Sequence, residues 1–527
     1  KKFETTSSGV DVTGRMAIND GNFNILIGDN AGDALSSGTR NIAVGHNALS
    51  TEDGHGRNVA IGHNSLFALD AGADAYNVAV GYDSGVSMTT GTYNTIIGGL
   101  AGDALTTGIR NVAIGYNALG SEDTGNRNIA IGDGALANLN YDGNGYNVAV
   151  GLNAGTNVTT GTYNTLIGGL AGDALTTGAY NVAVGYNALT TEDGDGKNVA
   201  IGFEALKDQN AGADAYNVAV GFAAGENVTT GTNNVIVGGL AGDALTTGFG
   251  NTALGHAALS SEDAGDRSVA IGYFALNAQN VSGGGNAYNV AVGYGAGESV
   301  STGTHNVLLG GLAGDALTTG VGNIAIGYES LSAEDGDGKN VAVGHKTLKY
   351  QNAGADAYNV AVGYQAAINV STGVQNTIIG GLAGDALTTG GDNTAVGYQA
   401  LSAEDTGTRN TALGYQALRD LNYDGTGHNV AVGYQSGVSV STGTSNTLIG
   451  ALSGDALTTG NNNVALGYSS LGAETAGDRS VAVGNFALQV QNNTTNADVY
   501  NTAVGYSAGS AMTTGVENTL IGSLAGD

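Results

Sequence analysis

The chain contains no cysteine, no proline and no tryptophan, and only 3 methionines. Without cysteine there is no disulfide framework, no thiolate zinc site and no thiol nucleophile. Basic residues are scarce: 16 Lys plus Arg stand against 46 Asp plus Glu in 527 residues, a formal net charge of −30. That balance argues against a basic patch for nucleic acid or an anionic lipid surface. No apolar run approaches the roughly 18 residues of a membrane-spanning helix, so no membrane insertion as a helix is expected. What the chain has instead is glycine, 92 residues of it. Length alone predicts several globular domains; the internal repeats overrule that.

A five-residue string, Asn-x-x-(Val/Ile/Leu)-Gly, recurs 29 times, from Asn24, Asn41, Asn58 and Asn77 to Asn518. Ser268 and Ser480 replace the Asn in two copies. The steps run 17, 17, 19 and 17 residues and then repeat, with the long step stretched to 21 after Ser268 and Ser480. Asn24, Asn94, Asn164 and Asn234 are therefore 70 residues apart, and the unit is a group of four coils, present seven times with the last copy cut off.

Alternation at period two puts the second and fourth positions of the string on one face. The fourth is always a branched aliphatic and the second is Val, Ile or Thr. This face is predicted to be the core, and the third position is predicted to point away from it. A second apolar pair, such as Ala188-Leu189, is predicted to form a second short strand. One coil buries too little to fold alone, whereas stacking gives each strand two neighbours and a continuous apolar column. Helix is a poor alternative, because glycine at every fifth position costs about 1 kcal/mol each there. The absence of proline suits a ladder in which every backbone N–H donates. The fold class predicted is all-β: a parallel β-solenoid of 29 coils of 17–21 residues in seven four-coil groups, covering 22–527 as one continuous rod. Residues 1–21 are expected to be an N-terminal connector or cap. At about 4.8 Å per coil the rod measures on the order of 140 Å. The Asn column is expected to form an amide ladder or to hold turns.

The third position distinguishes the coils. It is Ala in three coils of each group and Leu or Ile in the other, as at Leu166, Ile236, Leu308, Ile378 and Leu448. Pointing outward, these five are the predicted oligomer interface. The residue after the motif Gly varies the opposite way. It is large in many Ala coils (Tyr82, Tyr186, Phe203) and small in most Leu/Ile coils (Gly99, Gly169, Gly311).

The many Asn-Val-Ala-Val-Gly copies and Ser268-Val269-Ala270-Ile271-Gly272 resemble the head repeat of YadA-like trimeric autotransporter adhesins. The resemblance covers roughly residues 22–527 and implies a left-handed β-roll with three chains side by side. The longer form, Asn181 through Leu189, also resembles repeats in tail fibres and structural proteins of marine phages, and Lys2 through Gly14 looks like a linker of such proteins. What this implies is a fibre or adhesin, located outside the cell on a virion appendage or a cell surface. The last copy breaks off at Asp527. A solenoid needs a polar cap or a continuation, so more protein or a partner is expected there.

An acidic turn recurs in the second coil of each group, at Glu52-Asp53, Glu122-Asp123, Glu192-Asp193-Gly194-Asp195 and Glu334-Asp335-Gly336-Asp337 among others. Hard oxygen ligands at this spacing suit calcium, and Asp193, Asp195, Asp335 and Asp337 are its candidate ligands; no other cofactor is expected. The weightier reading is a solvated turn whose carboxylates pair with the basic residue that follows, such as Arg57, Arg127 or Lys197. The aspartates at Asp33, Asp103 and Asp173 read as turn formers. A regular stack offers no unique cleft for a carboxylate pair or triad, so no enzyme is expected. Tyrosine is the dominant aromatic, with 24 copies. Tyr82, Tyr294, Tyr364, Tyr434 and Tyr506 form a row that is the candidate contact for a host receptor or glycan. The leading expectation is a non-enzymatic homotrimeric shaft of a tail fibre or surface adhesin. The alternatives are a monomeric solenoid polymerising end to end into a filament, and a glycan-binding module using the Tyr rows.

Overall fold

The structure, a computed structural model, describes residues 21–527 apart from Asp195, Ser282 and Asp337. The expected connector at 1–21 lies almost wholly outside the described residues. The chain divides into two compact units, Lys1–Gly239 and Leu240–Asp527. The first carries thirteen strands, from Ile25–Ile27 to Val235–Val237; the second carries sixteen, from Thr252–Leu254 to Thr519–Ile521. Every strand has three residues, and the described residues contain no helix. Within each unit successive strands pair in parallel and in register, as in Val182↔Val199, Ala183↔Ala200 and Val184↔Ile201. Each unit is a β-solenoid of one strand per coil. At about 4.8 Å per strand the stacks rise roughly 60 Å and 70 Å respectively.

The alternation is as expected, but its sign is reversed. Residues at the third position are sealed inside: Ala183 and Ala200 are fully buried, and so are Leu166, Ile236, Leu308 and Leu448, with Ile378 at 1% exposure. The second and fourth positions face out, half-exposed, with Ile167 at 39% and Ile449 at 40%. The physical reason is the asparagine at the first position, which shares its face with the third. Its polarity argues for solvent, yet Asn164 and Asn181 are fully buried because the backbone of the stack supplies partners along the column, although the Nδ2 atoms of Asn58 and Asn128 are buried without one. The Asn164 Oδ1 accepts the Asn181 N–H at 2.9 Å, while its Nδ2 donates to the Gly178 carbonyl at 2.8 Å. The Asn181 Oδ1 then accepts the Asn198 N–H at 3.0 Å, and the ladder continues. Where serine replaces asparagine, a buried glutamine completes the column. The Gln279 Nε2 donates to the Ser268 Oγ at 2.8 Å and its Oε1 accepts from the Asn289 Nδ2 at 2.8 Å. Gln491 does the same between Ser480 and Asn501.

The expected second strand is a turn. Ala188 and Leu189 are fully buried, but Leu189 has φ 55°, left-handed geometry that a bulky residue adopts only when its surroundings enforce it. Burying the leucine inside the coil is what offsets that strain. The motif glycine is set by the same stacking. Gly185 has φ 140°, and a Cβ there would lie 2.1 Å from the Gly202 carbonyl oxygen. The outer face takes β-branched residues because a pleated surface flanked on both sides packs them well.

Replacing Asn164 with Ala strips partners from the buried Asn181 N–H and the Gly178 carbonyl. At about 1–3 kcal/mol for each group left unpaired, this variant should lose roughly 2–5 kcal/mol in denaturant unfolding of the full chain. Thr165→Val, one residue on but facing out, should stay within about 0.5 kcal/mol.

Candidate functional site

The stacking brings residues 17–21 positions apart into columns, and chemistry in this protein is a property of columns. The first follows the motif glycine. Tyr82, Tyr294, Tyr364, Tyr434 and Tyr506 all lie in it, between 53% and 60% exposed. Four of the five stack face to face on the ring of the preceding coil. Tyr82 lies 5.3 Å from His63, Tyr294 5.7 Å from Tyr273, Tyr364 5.4 Å from His345 and Tyr434 5.3 Å from Tyr415. Tyr506 meets Phe486 edge-on at 6.0 Å. Tyr82, Tyr294, Tyr364 and Tyr434 each close a run of rings, because the next coil carries Gly99, Gly311, Gly381 or Ala451 at that place, while Tyr506 stands between Asn485 and Ser523.

The second column occupies the residue before the motif Asn, held in left-handed geometry at Arg57, Tyr76, Tyr93 and Arg110 (φ 65°, 55°, 61° and 59°). Arg57 lies over Tyr76 at 5.2 Å, Tyr76 stacks on Tyr93 at 5.4 Å, and Arg110 covers the far face of Tyr93 at 5.5 Å. Tyr146, Tyr163 and Tyr180 continue at 5.2 and 5.0 Å. The basic residues therefore do not pair with the acidic turn on their own coil. Arg57, Lys197, Lys339 and Arg479 bond Asp74, Asp214, Asp356 and Asp498 on the following coil, and Arg127 and Arg267 bond Asn144 and Asn286. The reason is again stacking: a side chain at this corner points along the column, toward a neighbouring coil, and Arg409 reaches back to Asp392 on the preceding one. Tyr93, Tyr163 and Arg110 were not singled out by the sequence reading, although the 17-residue step that joins them to Tyr76, Tyr146 and Arg127 is legible in it.

The five residues expected at an oligomer interface, Leu166, Ile236, Leu308, Ile378 and Leu448, are interior, so none can meet another chain. Each fills the core of its own coil, in contact range of the turn that follows: a Cβ on Gly172 would come within 2.8 Å of the Leu166 Cδ2.

Of the candidate calcium ligands, Asp195 and Asp337 lie outside the described residues. Asp193 and Asp335 are exposed, and their main-chain carbonyls accept the amides of Thr176 and Thr318. The glutamate of the acidic turn is not a surface group at all. Glu52, Glu122, Glu192, Glu262, Glu334, Glu404 and Glu474 are fully buried, one in every fourth coil. At Glu52, Asp53 and Asp70, carboxylate oxygens lie within 4.8 Å of one another, but the Glu52 oxygens already accept the His55 and Ala71 amides at 3.1 and 3.5 Å. Burial pushes the carboxyls of Glu52 and Glu404 above the usual range and that of Glu122 up to about 7, against the pull of backbone donors from Gly125 and Tyr141. The residue stacked over each glutamate differs. Gln279 and Gln491 donate to Glu262 and Glu474 at 2.8 Å, whereas Leu69, Leu139 and Leu421 stand over Glu52, Glu122 and Glu404 and donate nothing. Asp103, Asp173, Asp385 and Asp455 are likewise raised by burial, one per four coils.

Seen against other proteins, the chain matches no model of a protein family, and no curated protein matches it.

The glutamates give a pH dependence of defined sign. A carboxyl at about 7 in the fold and 4.5 when unfolded binds its proton more tightly in the folded chain. Its contribution is complete below pH 4.5 and is lost as pH rises through 7, up to about 3 kcal/mol in all. Stability by urea unfolding should therefore fall between pH 4.5 and 8. Leu139→Gln, which supplies Glu122 with the donor present at Glu262, should flatten that fall; an unchanged profile would contradict the assignment.

Proposed function

We infer that this chain is the non-enzymatic shaft of a fibre or adhesin, either a phage tail fibre or a cell-surface adhesin, assembled from three copies and working outside the cell. The observation that carries the reading is the repetition of one bonded coil. In each unit the same three-residue strand pairs in register with its neighbours, and the same buried Asn column ties coil to coil. Such a stack extends by adding coils without enlarging its core, which is what a part that sets distance requires. Its acidic groups recur every fourth coil along columns, as suits a part that holds or touches rather than a centre that reacts.

With the third positions inside, association falls to the outer strand face. Its fourth positions form an apolar stripe within each unit, with Ile97, Ile167 and Ile201 at 37–39% exposure in the first and Ile379, Leu413 and Ile449 at 37–44% in the second. A stripe this regular on an acidic protein suits a copy of itself as partner. The net charge of −30 per chain, tripled in the assembly, keeps finished shafts apart.

Light scattering of the purified chain should give three times 51.9 kDa. Lysine at both Ile379 and Ile449, which point outward and leave the interior untouched, should reduce the mass to that of one chain with the unfolding midpoint of the coil stack retained. A parent protein of single-chain mass would refute the trimer.

A further inference from the structure

The column after the motif glycine is not continuous, and its interruptions are regular. In the second unit His256, Tyr273 and Tyr294 stack at 5.2 and 5.7 Å, and Gly311 follows. Tyr328, His345 and Tyr364 stack at 5.5 and 5.4 Å, and Gly381 follows; Tyr398 then begins the next run. In the first unit His46, His63 and Tyr82 stack at 5.1 and 5.3 Å, Gly99 follows, and Tyr116 stands beyond it.

These three glycines have no conformational reason to be glycine. None has positive φ, unlike the motif glycine before each. A Cβ would meet its nearest neighbour at 3.8 Å on Gly99 and 3.6 Å on Gly311 and Gly381, ordinary contact distances to the next tyrosine ring. Any residue fits there, and the rest of the column shows that a ring does. What glycine leaves is a slot one coil high between two exposed ring faces, floored by backbone and edged by a half-buried leucine, Leu100, Leu312 or Leu382.

We propose that the slots at Gly99, Gly311 and Gly381 are binding sites for neutral glycans, each admitting one pyranose ring between two tyrosines. Three features select that occupant. The first is width. Two strand spacings put the walls about 9.6 Å apart. With carbon contacts of about 3.8 Å on each side, roughly 2 Å is left for the guest's own thickness. A flat aromatic ring midway would sit no closer to either wall than His63 and His345 sit to their neighbours, at 5.1–5.5 Å, whereas a sugar chair with its axial substituents is thick enough to reach contact with both walls. The second is wall chemistry. All six wall rings are tyrosine, while the middle of the runs holds His63, His345 or Tyr273. The negative ring face attracts the C–H groups of a sugar, and the phenol hydroxyl at its rim hydrogen-bonds sugar hydroxyls. The third is charge. Walls, floor and edge carry no formal charge of their own, although the Tyr328 hydroxyl at the rim of the Gly311 slot donates to the Glu329 carboxylate, and the chain's −30 repels acidic sugars. Gly311 and Gly381 stand 70 residues apart, four coils or about 19 Å, so one polysaccharide reaching both gains avidity. This goes beyond the shaft reading and does not depend on the number of chains.

The test fills the slots without harming the coil. The full chain is titrated by calorimetry with a panel of neutral hexasaccharides of glucose, galactose and mannose, with a sialylated and a sulfated oligosaccharide, and with indole. At least one neutral hexasaccharide should bind. The triple variant Gly99→Tyr, Gly311→Tyr, Gly381→Tyr should bind it at least tenfold more weakly with an equal or higher Tm. Tyr364→Ala combined with Tyr398→Ala should weaken binding also if the filled variant fails to fold. Binding that survives in both variants, tighter binding of indole or of the acidic sugars, or no binding of any neutral hexasaccharide at millimolar concentration overturns the proposal. Any of these leaves the mass measured for the shaft unchanged, so the two readings fail separately.

Discussion

Each coil is tied to the next by one buried amide side chain. An asparagine inside a coil three residues wide at its strand has two tasks: accepting an N–H from the coil after it and closing a carbonyl fourteen residues on. Both partners are backbone groups that would otherwise be sealed from water without a bond, which is costly. The constraint explains the rest of the coil. The first position must face inward, so the third must as well. The interior there is narrow, so the third is mostly alanine. The outer positions then fall to β-branched residues. In the Ser268 and Ser480 coils the column is closed through the buried Gln279 and Gln491, at the place where Gln209 and Gln351 bond Asn217 and Asn359 in coils that keep the asparagine.

The repeat, the strand positions, the register and the alternation were all legible in the sequence, because period and spacing report stacking directly. The direction of the faces was not. Polarity argues that asparagine points to water, and only the ladder shows why it does not. The same inversion moved Leu166 and its equivalents from a supposed interface to the core, and Glu122 from a solvated turn to the interior. Reading apolar pairs as strands failed at Ala188-Leu189, since a leucine held in left-handed geometry by its surroundings leaves no signature in composition. The aromatic and cationic columns were half legible: Tyr76 and Arg57 stand out individually, but their contact requires adding the coil length to one to reach the other.

The chemistry of the molecule follows from this architecture. A stack of like coils repeats its groups at fixed height within each unit: a buried carboxyl in every fourth coil, a row of rings broken at regular places, a stripe of apolar side chains along the outer sheet face. Burial raises the carboxyls of Glu52, Glu122 and Glu404 above their ordinary range, so their contribution to stability is greater at acid than at alkaline pH. That is an unusual direction for so acidic a chain, because desolvation outweighs the donors around Glu122.

The claim on which everything rests is that strands stack one per coil, in four-coil groups, along a single direction within each unit. Electron diffraction from aligned particles reads this directly. A reflection near 4.8 Å along the stacking direction, accompanied by a weaker one near 19 Å from the four-coil period, is the predicted pattern. A 4.8 Å spacing lying across that direction, or none, would contradict it.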